Sequence, residues 1–414
     1  MLVKAAYDAI VIGGGPAGMM ASGRAAERGK KVLLVEKNDM LGRKLLISGS
    51  GRSNITNAGS IDEHIANFGR SGKFLRNAFS EIFNTELIDF FKARGVRLKV
   101  ERGRRVFPES GRSKDILDAL KRYLHENRVD VILGSEVRDV IQDESGTKKV
   151  ILARGAEYAA PRVAICTGGV SYPETGSTGF GFDAAKRLGH QLVDPRPALV
   201  PLVTESALPG TWQGLSLDNV KAAVIGDGER IAECFGDMIF THFGLSGPII
   251  LDLSGSAYDL LQEKNCVEIS LDLKPALDLS KLNNRLIREL AGNSNKALKN
   301  ILKEILPAKM IPGFIDYCGL SKDKKANQIT ARERERLVKG LKDLRFRIKK
   351  TRPIEEAIVT RGGVNTKEID PKTMESRLIK GLFFAGELID VDAKTGGYNM
   401  QAAFSTGYLC GNNL

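Results

Sequence analysis

Cysteine is scarce in this chain. Five residues in 414 (Cys166, Cys234, Cys266, Cys318, Cys410) are odd in number, widely scattered and without a CxxC pair. They exclude a disulfide framework and a cysteine-based zinc site as organising features, and they point to a reducing compartment. Long apolar runs are missing too: no stretch reaches the length of a membrane span. The first apolar strand begins so close to residue 1 that a secretory leader has no room, so these absences predict a cytoplasmic protein with no membrane partner and no metal site. Repeats, low-complexity tracts and aromatic-interleaved basic motifs of the RRM type are also lacking. With 42% hydrophobic residues, the chain has material for two or three domains with sizeable cores.

Charge is abundant. The net charge is +12, and residues 321–352 hold thirteen Lys or Arg against four acids. Leu344, Phe346 and Ile348 alternate with Arg345, Arg347 and Lys349, as on the wet face of a strand. Thr330 to Leu341 mixes Arg332, Arg334 and Arg336 with Glu333 and Glu335, which suits an exposed helix. A solvated face and a surface for RNA or another acidic partner both fit this pattern.

The run from Tyr7 to Gly18 (YDAIVIGGGPAG) joins an apolar strand to a glycine turn and a small-residue helix. Gly13, Gly15 and Gly18 fill the three positions of GxGxxG, which serve the tight turn, the approach of backbone to phosphate, and helix-on-strand packing. Pro16 and Ala17 open a helix running to Arg28, whose free N–H groups and positive dipole end suit a pyrophosphate. A second strand, Lys31 to Val35, ends in Glu36, 23 positions after Gly13. An acid there accepts hydrogen bonds from a ribose and disfavours a 2′-phosphate. No further GxGxxG follows, because residues 176–181 have the wrong spacing.

From Asn38 to Asn57 the chain is rich in glycine, hydroxyls and cations and reads as a long functional loop, with Arg43, Lys44 and Arg52 suited to phosphate and the amides around Gly49 and Gly51 to a flat ring. Helices are expected at Lys73 to Arg94 and Lys114 to Glu126, then a strand at Val129 to Leu133 continuing into Val137 to Ile141. The strand Arg162 to Cys166 runs into Thr167, Gly168 and Gly169, a turn expected beside the first glycine turn. From about Val193 prolines and short alternating strands mark an inserted β domain, with a helical piece from about Ser280 to Leu341 nested inside it. Gly381 to Glu387 is a strand of the first sheet ending in glycine and acid. Gly396 and Gly397 then open a last small-residue helix, a second anion-stabilising site.

Together these segments resemble FAD-dependent two-dinucleotide-domain flavoproteins. More narrowly, residues 42–57 (GRKLLISGSGRSNITN), 240–248 (FTHFGLSGP), 359–364 (VTRGGV) and 385–401 (AGELIDVDAKTGGYNMQ) resemble the BaiN/HI0933-like family of bacterial flavoproteins. The resemblance implies an α/β fold: a discontinuous Rossmann-like FAD-binding domain (residues 1–192 and 355–414), an inserted β-barrel or sandwich domain (193–279 and 342–354) and a small helical domain (280–341). It implies FAD pyrophosphate at Gly13, Gly15 and Gly18 and adenosine ribose at Glu36, with Lys37 and Gly42 nearby. Arg43, Lys44, Ser48 and Asn54 would line the cofactor, Val137 would meet adenine through its backbone, and Gly386 and Glu387 would meet the ribityl-phosphate region. Asn399 and Met400 would present amides to the flavin pyrimidine edge. Two departures stand out: Ser53 where relatives carry cysteine, and Phe180 where they carry an acid.

The implied activity is FAD-dependent oxidoreduction, with hydride passing between flavin N5 and a small organic substrate, amine-like or steroid- and enone-like. NAD(P)H fits as a transient donor. His242 and Tyr398 are the proton-transfer candidates. Two alternatives stay open: an RNA-linked flavoprotein that grips tRNA or another polyanion with its basic helical insert, and a flavin redox sensor without turnover.

Overall fold

The computed structural model describes residues 7–414 and divides the chain into two compact units. One runs to Pro197 and resumes at Ile354–Leu414; the other is Ala198–Pro353.

The first unit is built on a five-stranded parallel sheet in the order Leu382–Phe384, Arg162–Ile165, Ala9–Ile12, Val32–Val35, Asp130–Ile132. Apart from the exposed edge strand Asp130–Ile132, its strands are largely apolar runs because both faces are covered; Ile10, Val11, Leu33 and Leu34 are fully buried. The helix Pro16–Glu27 follows the first strand, and the last helix, Tyr398–Asn413, packs on it. Small residues make the crossing close: a Cβ on Gly411 would lie 2.6 Å from the Ala21 carbonyl oxygen, and one on Gly407 would overlap that of Ala17.

Several expected elements differ. The stretch from Val129 divides, since Asp130–Ile132 ends the parallel sheet while Val137–Gln142 starts a separate antiparallel sheet with Lys148–Leu152 and Glu157–Ala160. The helix expected over Lys73 to Arg94 breaks at Ile82 and Phe83, between Arg76–Glu81 and Asn84–Ala93. A hairpin of Leu98–Glu101 and Arg105–Pro108, pairing with Thr56–Asn57, has no counterpart in the sequence reading. The Asn38 to Asn57 segment is not a loop throughout: Arg43–Gly51 is helical, with Leu45 buried, and it kinks where Ser48, Gly49 and Ser50 leave helical dihedrals.

The second unit is a closed barrel of Leu202–Thr204, Gly244–Ser246, Glu229–Thr241, Ser216–Gly226, Val267–Asp272 and Leu344–Thr351, the last pairing back to the first. Closure removes exposed sheet edges. Trp212, Phe240 and Phe346 meet edge to face inside it. Leu282 and Leu286 of the helix Leu279–Ala291, and Leu337 and Leu341 of Ala331–Lys342, belong to the same apolar core. Leu344, Phe346 and Ile348 point inward while Arg345, Arg347 and Lys349 stay exposed. No helix among the described residues is long and apolar enough to cross a membrane.

Candidate cofactor and active site

The first and fourth strands in sequence of the parallel sheet are neighbours, with Ile12 opposite Ile165, so their two glycine turns sit together at the carboxyl edge. Gly13 has φ +105°, and a Cβ there would come 2.5 Å from the Cys166 carbonyl oxygen. A Cβ on Gly18 would overlap the Gly13 carbonyl oxygen. Gly15 differs: nothing lies within 4 Å of its would-be Cβ. It is the N-cap of Pro16–Glu27 and no side chain caps that helix, so the turn offers open space beside unclaimed N–H groups. Thr167, in the neighbouring turn, carries a buried hydroxyl without a partner, packed against Gly181. A bare helix start and open space over Gly15 fit the pyrophosphate of FAD.

Glu36 is buried, and its two oxygens accept from Gly14 N at 2.7 Å and Asn38 N at 2.8 Å. Those amides fix the carboxylate at the strand end with lone pairs left for a ribose. Lys37 Nζ donates to Thr178 Oγ1 at 2.7 Å, tying the same strand end to the loop after Gly169. Gly42 N donates to Gly14 O, which seats the helix Arg43–Gly51 on the glycine turn. From that helix Arg43 turns outward to the exposed Asp39 at 2.7 Å, whereas Lys44 turns inward.

Lys44 Nζ donates to Glu387 at 2.6 and 2.9 Å and to Ser171 Oγ at 2.6 Å. Glu387 Oε1 also accepts from Thr360 N at 2.8 Å and Ser171 Oγ at 3.1 Å. Ser171 and Thr360 were not among the expected site residues. They lie 189 positions apart, and no local pattern joins them. A Cβ on Gly169 would overlap Thr360 Oγ1, and that hydroxyl accepts from Val170 N at 2.9 Å. Gly168, with φ +74°, turns the chain just before. Gly386 N donates to Thr406 Oγ1 of the last helix.

Of the remaining expected residues, Ser48 donates to Leu45 O at the helix kink, and a Cβ on Gly49 would come 3.1 Å from Asn54 N. Gly51 has φ +80°. Asn54 Oδ1 accepts from Val106 N and would lie 2.8 Å from a Cβ on Gly397. Ser53 is fully buried beside Ser48, and Phe180 opens the helix Phe180–Arg187. Val137 is buried in its small sheet opposite Leu152.

Gly397 is the N-cap of the last helix, again without a side-chain cap. Asn399 clasps Ala393 through both its N–H and its carbonyl, at 2.9 and 2.8 Å, fixing the loop against the first helical turn. The amides of Asn399 and Met400 belong to that turn and suit a ring carrying negative charge. Tyr398 meets the ring of His64 edge to face, with centroids 4.9 Å apart. His242 is exposed in the Ala198–Pro353 unit and packs on Phe243.

His64 is fully buried; its Nδ1 donates to Ser60 O and its Nε2 has no partner. His190 is buried with Nε2 against Ser376 Oγ at 2.7 Å. Burial holds both imidazoles below the usual histidine value. The unfolded chain therefore takes up protons that the folded chain refuses, and stability falls as pH drops below ~6.5. The melting temperature should decline on acidification through that range, and His64→Leu should flatten the slope; an unchanged slope would count against buried neutral His64.

The chain matches the HI0933-like protein Rossmann domain over residues 7–413. It is 31% identical over 403 residues to the 3-dehydro-bile acid delta(4,6)-reductase of Clostridium scindens, covering 97% of each chain. It is equally 31% identical over 408 residues to the ribosomal RNA dihydrouridine synthase of Escherichia coli, covering 99% of this chain and 98% of that one. Among solved structures it shares the fold of the 3-ketosteroid delta1-dehydrogenase of Sterolibacterium denitrificans, with TM-score 0.55, 15% identity and coverage of 98% and 99%. This chain belongs to the HI0933-like family and is a FAD-dependent oxidoreductase.

Proposed function

We propose that the protein reduces a carbon–carbon double bond conjugated to a carbonyl, with NAD(P)H as the transient electron donor. The observation that carries this reading is a shared chemistry. The two relatives at equal identity are named for a bile-acid delta(4,6) reduction and for dihydrouridine synthesis, and each saturates a double bond conjugated to a carbonyl. Bound FAD supplies hydride transfer. The chain's own part is to hold pyrophosphate at Gly13 to Gly18, to anchor the middle of the cofactor near the Lys44 and Glu387 cluster, and to set the amides of Asn399 and Met400 against developing negative charge.

The test uses holoprotein reduced with dithionite under argon and mixed with a 4-ene-3-ketosteroid or with uridine-containing ribosomal RNA. The flavin spectrum should return to the oxidised form as the substrate gains two hydrogens. Reduced flavin that ignores both and reoxidises only in air would sink the reading in favour of an oxidase or a redox sensor.

A second reading, in which the reducible ring is presented on RNA, is favoured by charge. In the Ala198–Pro353 unit a groove of about 790 Å³ is lined by Lys221, Arg230, Arg334, Lys339, Lys342 and Arg345 against three acids. Some of these cations are already paired, Lys342 with Asp272 and Arg345 with Asp343 and Glu268. Retention of RNA should therefore be modest and salt-sensitive. Neutralising Arg334 and Lys339 to Gln should weaken it, and salt-independent failure to bind RNA excludes this reading.

A further inference from the structure

On the outer face of the barrel, side chains from adjacent strands line up in two rungs. Residues directly opposite one another in antiparallel strands project to the same face. One rung therefore runs Phe235, Lys221, Asp272, and the next runs Glu233, Ala223, Ser270, Arg345. Ala223 and Ser270 are the small members, and they form the floor of the groove of about 790 Å³ in the Ala198–Pro353 unit. Two helices wall it. Leu279 and Asn283 stand one turn apart on Leu279–Ala291, and Arg334, Val338 and Lys342 follow at four-residue steps along one face of Ala331–Lys342. Asn283 Oδ1 accepts from Arg334 Nε at 2.9 Å, which ties the two walls together. Besides the paired Lys342 and Arg345, Lys221 and Arg230 share a single carboxylate, Glu233, at 2.6 and 3.0 Å. Arg334 and Lys339 belong to no ion pair among the described residues, against one such lining acid, Glu335. At the end of the first rung, beside Lys221, the ring of Phe235 is left 59% exposed.

We propose that this groove takes an unpaired stretch of RNA, one base lying on the Phe235 ring while the phosphates that follow run past Lys221 toward Arg334 and Lys339. The inference rests on the RNA reading above and names the form of RNA that the surface selects. Its volume is that of a site for a drug-sized molecule, so it encloses roughly one or two nucleotides and no double helix. In a duplex every base face is already stacked on its neighbours, whereas an unpaired base has a free π face to lay on an aromatic ring. The groove joins both requirements of single-strand binding: cations with donors to spare for the backbone, and an aromatic face in water beside them. An acidic peptide would use the cations and leave the ring idle.

The experiment follows fluorescence anisotropy of a labelled uridine-rich RNA of about 12 nucleotides, single-stranded or annealed to its complement, as holoprotein is added. Wild type should bind the single strand ~10-fold or more tightly than the duplex. Phe235→Ala should weaken single-strand binding by ~5- to 150-fold, the loss of one base stack, and leave duplex binding and the salt dependence as they are. Phe235→Trp should keep the affinity. Joint Arg334→Gln and Lys339→Gln should instead lower the slope of log K against log salt by ~1.4, two phosphates at ~0.7 each. The Phe235 side chain is exposed, so its variants should melt with wild type. Equal affinity for the two forms of RNA, a change within ~2-fold for Phe235→Ala, or poly-glutamate that competes as well as the unlabelled single strand overturns the proposal and leaves RNA held by charge alone. Wild type that binds neither form at low salt refutes the RNA reading itself, and this inference with it.

Discussion

Gly15→Ala should fold as the parent does and fail to hold FAD, whereas Gly18→Ala should lose both. The difference lies in what each new methyl group meets. At Gly15 it meets nothing within 4 Å, and the backbone there, at φ −80°, is one that alanine adopts freely. The expected cost to the apoprotein is about 1 kcal/mol or less, the usual penalty for alanine at a helix N-cap. The methyl would fill the open space beside the helix start that is proposed for the pyrophosphate, so FAD affinity should fall ~100-fold, or ~2.7 kcal/mol. At Gly18 the methyl overlaps the Gly13 carbonyl oxygen and comes 3.3 Å from Cys166 Cβ. That overpacking should cost ~1–3 kcal/mol or more before any cofactor is considered. Thermal unfolding of both apoproteins and FAD titration by fluorescence separate the cases. Undiminished FAD binding by Gly15→Ala would show that the open space is not the cofactor's.

Gly407→Leu should be the most damaging single change remote from the glycine turn. Its Cβ would overlap the Ala17 carbonyl oxygen and lie 2.9 Å from Ala17 Cα, so the last helix must move off Pro16–Glu27. Because backbone is what stands in the way, no rotamer change relieves the contact, and the loss should reach about 3 kcal/mol or more. Displacement also shifts the helix start at Gly397 and the Gly386 to Thr406 hydrogen bond, so FAD content should fall with stability. Tyr408→Phe, next in sequence but directed toward Arg24, is the control and should stay within ~0.5 kcal/mol. Equal melting temperatures for the two variants would contradict the close crossing.

The parts of the site legible in sequence are those whose reasons are local. A glycine fingerprint between an apolar run and a small-residue helix states its turn, its phosphate approach and its packing within six residues. Glu36 follows because strand length sets where an acid emerges. The glycines and serines of the kinked helix Arg43–Gly51 make its sequence resemble a loop, but they mark irregular backbone only over its last turn. Thr360, Ser171 and the partnering of Lys44 with Glu387 were not legible, because the contacts join three distant stretches of chain. The hairpin at Leu98 to Pro108 escaped for a related reason: its pairing with Thr56–Asn57 is non-local, and its short strands carry no clean alternation. Arg43 shows the converse limit, since composition suggested a phosphate ligand and the side chain is engaged with Asp39 at the surface.

The crossing of the last helix over the first sets the order in which the chain matures. The strand Leu382–Phe384 pairs with Arg162–Ile165, and Tyr398–Asn413 packs on Pro16–Glu27, so the earliest residues made wait for the latest. Ala198–Pro353 is contiguous and can complete its barrel during translation, a delay on the order of ten seconds at ~5–20 residues per second. Throughout that interval the nascent amino-terminal segment carries an unfinished parallel sheet with its Arg162–Ile165 edge bare, a state suited to chaperone capture. The helix start at Gly397 is made last, so stable FAD loading is expected only after the whole chain has left the ribosome.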